Sequence, residues 1–375
     1  MSDFLAARRI VVCVGPGGVG KTTTAAALAA RAARAGRRTL VTTIDPAPRL
    51  ADALGVSLTA TPTPVPVAVA AALDLAPGML HVARLDTEQA FAALVDEQVA
   101  DAEMRRRIFD NPIYRQITTT LTGSQEYAAT LALYDIVRKN EFDLVVLDTP
   151  PTANALDFLE APKRLAEAIS SPAIQWFARP PEGGGRFSLR SLRSGSALVL
   201  KRLGKFVGSQ FLEDIAAFLT DFQTVLGGFL ERAQSVSDRL RRPDVAFLLV
   251  LAPEAPAVDE ALYFERRLRE AGIVLTAFVV NRVHARPGLS DADELAAHLR
   301  ARGELDDLSD ADIESVAVPL ARTAVDLLQL CDGEDREVER LRGASPTTTL
   351  LRVPLLDEDV ATLATLGRVG AFLTL

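Results

Sequence analysis

Apolar residues fall into two patterns along this chain. Short runs rich in apolar and β-branched residues occupy 10–14, 39–43, 81–85, 143–147, 245–251, 275–280 and 350–353. Runs this short and this apolar suit strands covered on both faces. Between them, apolar residues return every third or fourth position. That spacing predicts helices over 24–35, 50–54, 87–101, 124–139, 153–159, 258–271 and 357–372, with a more polar helical region over 291–342. Strand alternating with helix predicts an α/β fold with a doubly wound, mainly parallel sheet and right-handed crossovers. Punctuation agrees: Gly55 closes the second helix, Asn111-Pro112 breaks the chain, and Ser124 stands where a helix cap is wanted. Residues 59–78 carry too many prolines for a regular element and predict an irregular connection.

The alternation lapses twice, over 86–142 and 160–242. With no internal repeat, this predicts one domain spanning residues 1–375 with a helical subdomain inserted in it. Pro180-Pro181-Glu182-Gly183-Gly184-Gly185 reads as a flexible turn region. From Leu203 to Leu230 the apolar positions, Phe206, Phe211, Phe218, Phe222 and Phe229 among them, form a wide stripe. Such a stripe either packs the core of the subdomain or lies open as a groove for a hydrophobic client helix. The basic residues before it, Arg186, Arg190, Arg193, Lys201, Arg202 and Lys205, read as a solvated loop or as a contact for an anionic surface.

The most specific local signal lies between the first strand and the first helix: Gly15-Pro16-Gly17-Gly18-Val19-Gly20-Lys21-Thr22-Thr23. The spacing G-x-x-x-x-G-K-T at a strand–helix junction is that of a phosphate-binding loop. The backbone of Gly17, Gly18, Val19 and Gly20 can turn N–H groups inward, and the helix aims its positive end at the same point. Lys21 would add charge at the outer phosphates; the Thr22 hydroxyl, with Thr23 behind it, would face a magnesium ion. Two acids follow buried strands, in Asp45-Pro46-Ala47-Pro48-Arg49-Leu50 and in Asp148-Thr149-Pro150-Pro151-Thr152. At the carboxyl ends of parallel strands both acids would stand beside the loop, near the metal and an attacking water. The plainer alternative is that each caps the helix after it.

Composition narrows the partners. With 41 basic and 49 acidic residues the formal charge is −8, which argues against a general nucleic-acid-binding surface. Two cysteines, Cys13 and Cys331, cannot make a disulfide framework or a C-x-x-C zinc site, and Cys13 reads as a small buried residue of the first strand. His81, His284 and His298 lack metal-ligand spacing. No run of 18 uncharged apolar residues suggests a membrane span, and no secretory leader precedes the first strand. The expectation is a cytoplasmic protein.

Four segments together resemble the ArsA-like ATPases, the family of the arsenite-pump ATPase and of the ATPases that deliver tail-anchored membrane proteins. They are the loop at 15–23, Asp45 to Leu50, Asp148 to Thr152, and Val279-Val280-Asn281-Arg282; Val353-Pro354-Leu355 precedes the last helix. They occur in the family's order along nearly the whole chain. The resemblance implies a P-loop fold and MgATP as ligand. Lys21 and the 17–20 backbone would hold phosphates, Thr22 the magnesium ion. Asp45 would orient the attacking water, Asp148 would reach the metal through water, and Asn281 with Pro354 would hold the adenine. It also implies a dimer with ATP at the interface, whose hydrolysis moves the helical regions that bind a partner.

Three departures qualify this. Pro16 stands where the family usually has a second lysine that reaches the other subunit's phosphates. The C-x-x-C of zinc-bridged members is absent, as is the cysteine group that binds arsenite. The expectation is therefore an ATPase that turns over slowly as a homodimer, or one that pairs with a lysine-bearing relative. Arg49 is a candidate replacement for the missing charge. The alternatives are a regulatory subunit that binds nucleotide but barely hydrolyses it, a DNA-partitioning ATPase, and a small-molecule P-loop kinase.

Overall fold

The computed structural model describes residues 4–45, 47–119, 124–149, 167, 209–301, 309–360 and 362–374. Eight strands form one sheet: β1 Ile10–Val14, β2 Thr39–Thr43, β3 Thr63–Pro64, β4 Leu80–Arg84, β5 Leu144–Asp148, β6 Val245–Leu251, β7 Leu275–Val283 and β8 Thr349–Pro354. Their order is β3-β4-β2-β5-β1-β6-β7-β8. Every neighbouring pair is parallel except β3 with β4.

Strand alternation splits the core between two layers. Val11 and Cys13 of β1, with Val146, Leu248 and Val279, face one layer. That layer contains α1 (Lys21–Arg34), α2 (Arg49–Leu54), α3 (Val67–Ala72) and α12 (Leu363–Phe372). Ile10, Val12 and Val14, with Leu147, Phe247 and Phe278, face the other. There they meet α9 (Ala255–Glu270), the end of α11 (Asp310–Ala344), and parts of α7 (Ser124–Lys139) and α8 (Ser209–Leu240). Alanines dominate the buried face of α1, so the helix lies close on the centre of the sheet. The remaining described helices are α4 (Thr87–Gln98), α5 (Ala102–Asp110), α6 (Pro112–Thr119) and α10 (Ala292–Ala301).

A third apolar cluster joins Phe91, Leu94 and Val95 of α4 to Ile108, Tyr114 and Leu131, and to Phe218, Phe222 and Val225 of α8. Phe218 and Phe222 are buried, and their rings stack with centroids 4.7 Å apart. The described centre of the 203–230 stripe is thus core, as the plainer alternative has it. Its start at Leu203 to Val207, the helix expected at 153–159, the turn at Pro180 to Gly185, and the basic residues from Arg186 to Lys205 lie outside the described residues.

Several expected bounds shift for physical reasons. Residues 59–78 do contain regular elements, β3 and α3. Their prolines sit where no N–H is required: Pro64 on an edge strand and Pro66 at a helix N-cap. The last helix starts at Leu363, six residues later than expected, because Thr362 and Thr365 form a reciprocal capping box there. The stretch from Leu355 to Val360 is thereby left as a loop over the sheet's carboxyl edge. Asp148 is the last residue of β5, and β7 continues past Val280 to include Asn281 and Arg282.

Candidate functional site

β1 lies between β5 and β6, so the loop after it emerges at the middle of the sheet. Gly15 has φ 148°, and a Cβ there would stand 1.9 Å from the Val250 carbonyl oxygen of β6. Only glycine lets the loop leave the sheet this close to its neighbour. Gly20, φ 95°, caps α1, and a Cβ on it would meet Asn281 Nδ2 at 2.3 Å. Gly17 and Gly18 at the tip are exposed, whereas Pro16 and Val19 are buried. The Lys21 ammonium curls back, donating to the carbonyls of Gly15 at 2.9 Å and Pro16 at 2.6 Å. Burial lowers its pKa, with the Asp148 carboxylate opposing that shift.

One side of the loop is acidic. Register places Asp148 directly beside Cys13 of β1 and Thr43 of β2. Its Oδ2 accepts hydrogen bonds from Thr22 Oγ1 at 2.8 Å and Thr43 Oγ1 at 3.1 Å. Its Oδ1 is buried and, among the described residues, has no hydrogen-bond partner. Burial pushes the Asp148 pKa up to about 6, against the pull of the Thr22 and Thr43 hydrogen bonds. An orphaned carboxylate oxygen beside a threonine hydroxyl is an all-oxygen donor pair, which suits a hard cation such as Mg2+. Thr149 Oγ1 donates to the Cys13 carbonyl at 2.8 Å and ties β5 to β1 just past the acid.

Asp45 stands on the same side. Its Oδ1 accepts from the Ala47 N–H at 2.9 Å, and Arg49 Nη1 donates to Oδ2 at 2.7 Å. The helix after it, α2, is capped by Pro48 with no side-chain cap, so capping is not what Asp45 does. Asp45 and Arg49 line one cavity of about 440 Å³ with Gly18, Gly20, Lys21, Thr22 and Thr23.

The ends of β7 and β8 build the other side. Asn281 Nδ2 donates to the Val19 carbonyl at 2.8 Å, which locks the end of β7 onto the phosphate loop. Asn281 and Pro354 line an adjoining cavity of about 300 Å³ with Leu355, Leu356 and Val360. Gly20, Thr23, Arg282 and Val360 border both cavities, so the two form one cleft along the carboxyl edge of the sheet. A larger hollow of about 810 Å³ between α7 and α8 lies away from this edge and contains no phosphate-binding backbone.

Two comparisons bear on this cleft. Residues 8–175 match the family described as Anion-transporting ATPase. A putative arsenical pump-driving ATPase of Aquifex aeolicus is 23% identical over 284 residues, 73% of this chain and 63% of its own length. The ATPase GET3 of Malassezia globosa is 27% identical over 160 residues, 43% of this chain and 44% of its own. Over residues 8–175 the chain is similar to the ArsA-like ATPases. An uncharacterized protein of Streptomyces coelicolor is 37% identical over 165 residues, 43% of this chain and 39% of its own length. The chain thus spans less than two thirds of the length of each of these relatives.

Of the residues singled out from the ArsA-like pattern, Gly18, Gly20, Lys21, Thr22, Thr23, Asp45, Asn281 and Pro354 line this cleft, Val19 and Asp148 hydrogen-bond to residues that do, and Gly17 is exposed at the loop tip. Sequence reasoning missed Thr43, Arg282 and Val360. Thr43 is the last residue of a buried strand and shares its hydroxyl with Asp148 across the sheet, a pairing that no local pattern encodes. Arg282 had a signal, its place next to Asn281.

Proposed function

We propose that this chain binds MgATP in the cleft and hydrolyses it as one half of a dimer. The observation that carries this reading is the Thr22–Asp148 contact at 2.8 Å beside a buried, unpartnered carboxylate oxygen, directly behind the loop lysine. Thr22 would bind the metal, with Asp148 and Asp45 reaching it through water. A bound magnesium ion would neutralise charge on the outer phosphates. Lys21 would leave the Gly15 and Pro16 carbonyls for those phosphates, and Asp45, held by Arg49, would orient the attacking water. Asn281 and Pro354 would hold the adenine. The helices α4–α8, which share one apolar cluster, would form the subdomain that engages a protein partner or client and moves with the nucleotide state.

The loop is of the deviant type that normally carries a second lysine, and Pro16 replaces it. Proline offers no charge, so the cross-subunit contact must come from elsewhere. A second reading follows: a regulatory subunit that binds nucleotide and turns it over slowly beside a lysine-bearing relative. Titration of the full chain with MgATP and MgADP, followed by turnover measurement, tests both readings. Tight binding that disappears in Lys21→Ala supports the site; no binding by the wild-type chain overturns it. Turnover in the Arg49→Ala variant equal to wild type would remove Arg49 as the substitute charge.

A further inference from the structure

One cationic side chain lining the cleft has no part in the reading above, although Asp52, Glu358 and Asp359 line it as well. Arg282 borders both the phosphate cavity and the base cavity. Neighbouring residues of a strand point to opposite faces, yet Asn281 and Arg282 line the same cleft. The backbone explains how. Arg282 has φ 61°, a left-handed conformation that arginine seldom adopts, and the register of β7 against β8 breaks between Val280 and Val283.

This conformation is held from both sides. Asn281 is tied to Val19 before it, and the Val283 carbonyl accepts from the Leu355 N–H at 2.8 Å after it. Next, the His284 N–H donates to the buried Glu334 carboxylate at 2.9 Å, and its Nδ1 lies 2.5 Å from the other oxygen. Strained backbone persists where its surroundings over-determine it. The other arginine lining the cleft, Arg49, is paired with Asp45. Arg282 is exposed and, among the described residues, no carboxylate pairs with it.

We propose that Arg282 grips the inner phosphate and ribose of a bound nucleoside di- or triphosphate, in cis, from the same chain as the loop. The inference rests on the MgATP reading of the cleft. Its position carries it: Lys21 and Thr22 mark the phosphate end, Asn281 and Pro354 the base end, and Arg282, with Gly20 and Thr23, borders both. A guanidinium is well matched to phosphate oxygens. ADP and ATP share this part, so Arg282 contributes equally to both. It supports nucleotide affinity in a chain that has proline at position 16, without placing charge at the outer phosphate.

The test is calorimetric titration of the full chain with MgADP and MgATP, for wild type, Arg282→Gly and Arg282→Lys. Glycine accepts φ 61° without strain, so Arg282→Gly removes the side chain and leaves the fold intact. The expected result is affinity about tenfold weaker for both nucleotides, by the same factor, with an unchanged or higher unfolding midpoint and partial recovery in Arg282→Lys. Wild-type affinity in Arg282→Gly would overturn the proposal while leaving the MgATP site standing. A loss confined to ATP would also overturn it, by moving the charge to the outer phosphate. Equal losses in both variants together with a lowered midpoint would assign a structural role instead. Failure of wild type to bind either nucleotide would remove the underlying reading and this inference with it.

Discussion

Asp148 concentrates the chemistry of the cleft at one residue. It is 1% exposed, and its pKa of about 6 lies above the ordinary carboxylate value of 3.8. The folded chain therefore holds this proton to higher pH than the unfolded chain does. Stability contributed by the protonated form falls as pH rises from about 4 to about 6 and stays lost above that. At pH 7.5 the buried charge costs the fold up to about 3 kcal/mol when no cation faces it. Asp148→Asn keeps an oxygen for Thr22 and Thr43 and removes the charge. Its urea midpoint at pH 7.5 is expected to rise, while Mg2+-dependent nucleotide binding is lost; a lower midpoint would contradict the account. In the wild type, Mg2+-dependent affinity is expected to fall about tenfold per unit as pH drops below about 6, and a profile flat from pH 7 to 5 would exclude Asp148 from the metal's surroundings.

Among the elements, α8 has the most ambiguous sequence. Its phenylalanine stripe is legible as an apolar face, but what covers that face depends on helices far away in the chain. Phe218 and Phe222 meet Phe91 and Leu94 of α4, over a hundred residues earlier. The same helices are joined by a buried charge: Arg232 of α8, 3% exposed, pairs with Glu97 of α4 and lies 3.9 Å from Asp135 of α7, with its guanidinium 5.3 Å from the Tyr134 ring. Glu97 is 45% exposed, so removing Arg232 leaves that carboxylate in water and costs mainly the packing of the buried guanidinium and its stem. Arg232→Ala is expected to lower unfolding free energy by about 1–2 kcal/mol, chiefly through lost packing of the buried side chain, with Arg232→Met losing less because it refills the space. Chemical denaturation followed by circular dichroism measures both. An unaffected Arg232→Ala would mean that α4, α7 and α8 are joined by apolar packing alone. The prolines of residues 59–78 give the converse case: they were legible as breakers, yet β3 and α3 fit around them because Pro64 and Pro66 occupy positions that need no N–H.

For the whole molecule, the proposed dimeric reading turns on the uncharged residue at position 16. Its carbonyl accepts from Lys21, so the loop closes on itself around an uncharged residue. A preorganised cation at developing phosphate charge is worth about a hundredfold in rate. Pro16→Lys is therefore expected to raise ATP turnover of the isolated chain at least tenfold. Sedimentation with a non-hydrolysable MgATP analogue is expected to shift the chain toward dimer. No gain in rate from Pro16→Lys would sink the idea that a cross-subunit lysine is what this chain lacks.

Local pattern alone determined much of this protein: seven of the eight strands to within a few residues at each end, the phosphate loop, and the two acids at strand ends. Periodicity and loop spacing are properties of neighbouring residues, so one sequence displays them. Only the tertiary structure decided the order β2-β5-β1, which brings Thr43 and Thr22 onto Asp148. Only it lengthened β7 to carry Asn281 onto the loop, with Arg282 turned into the same cleft by a left-handed backbone. Strand order and register are set by how helices pack across the sheet, between segments more than a hundred residues apart, and no local window contains that information.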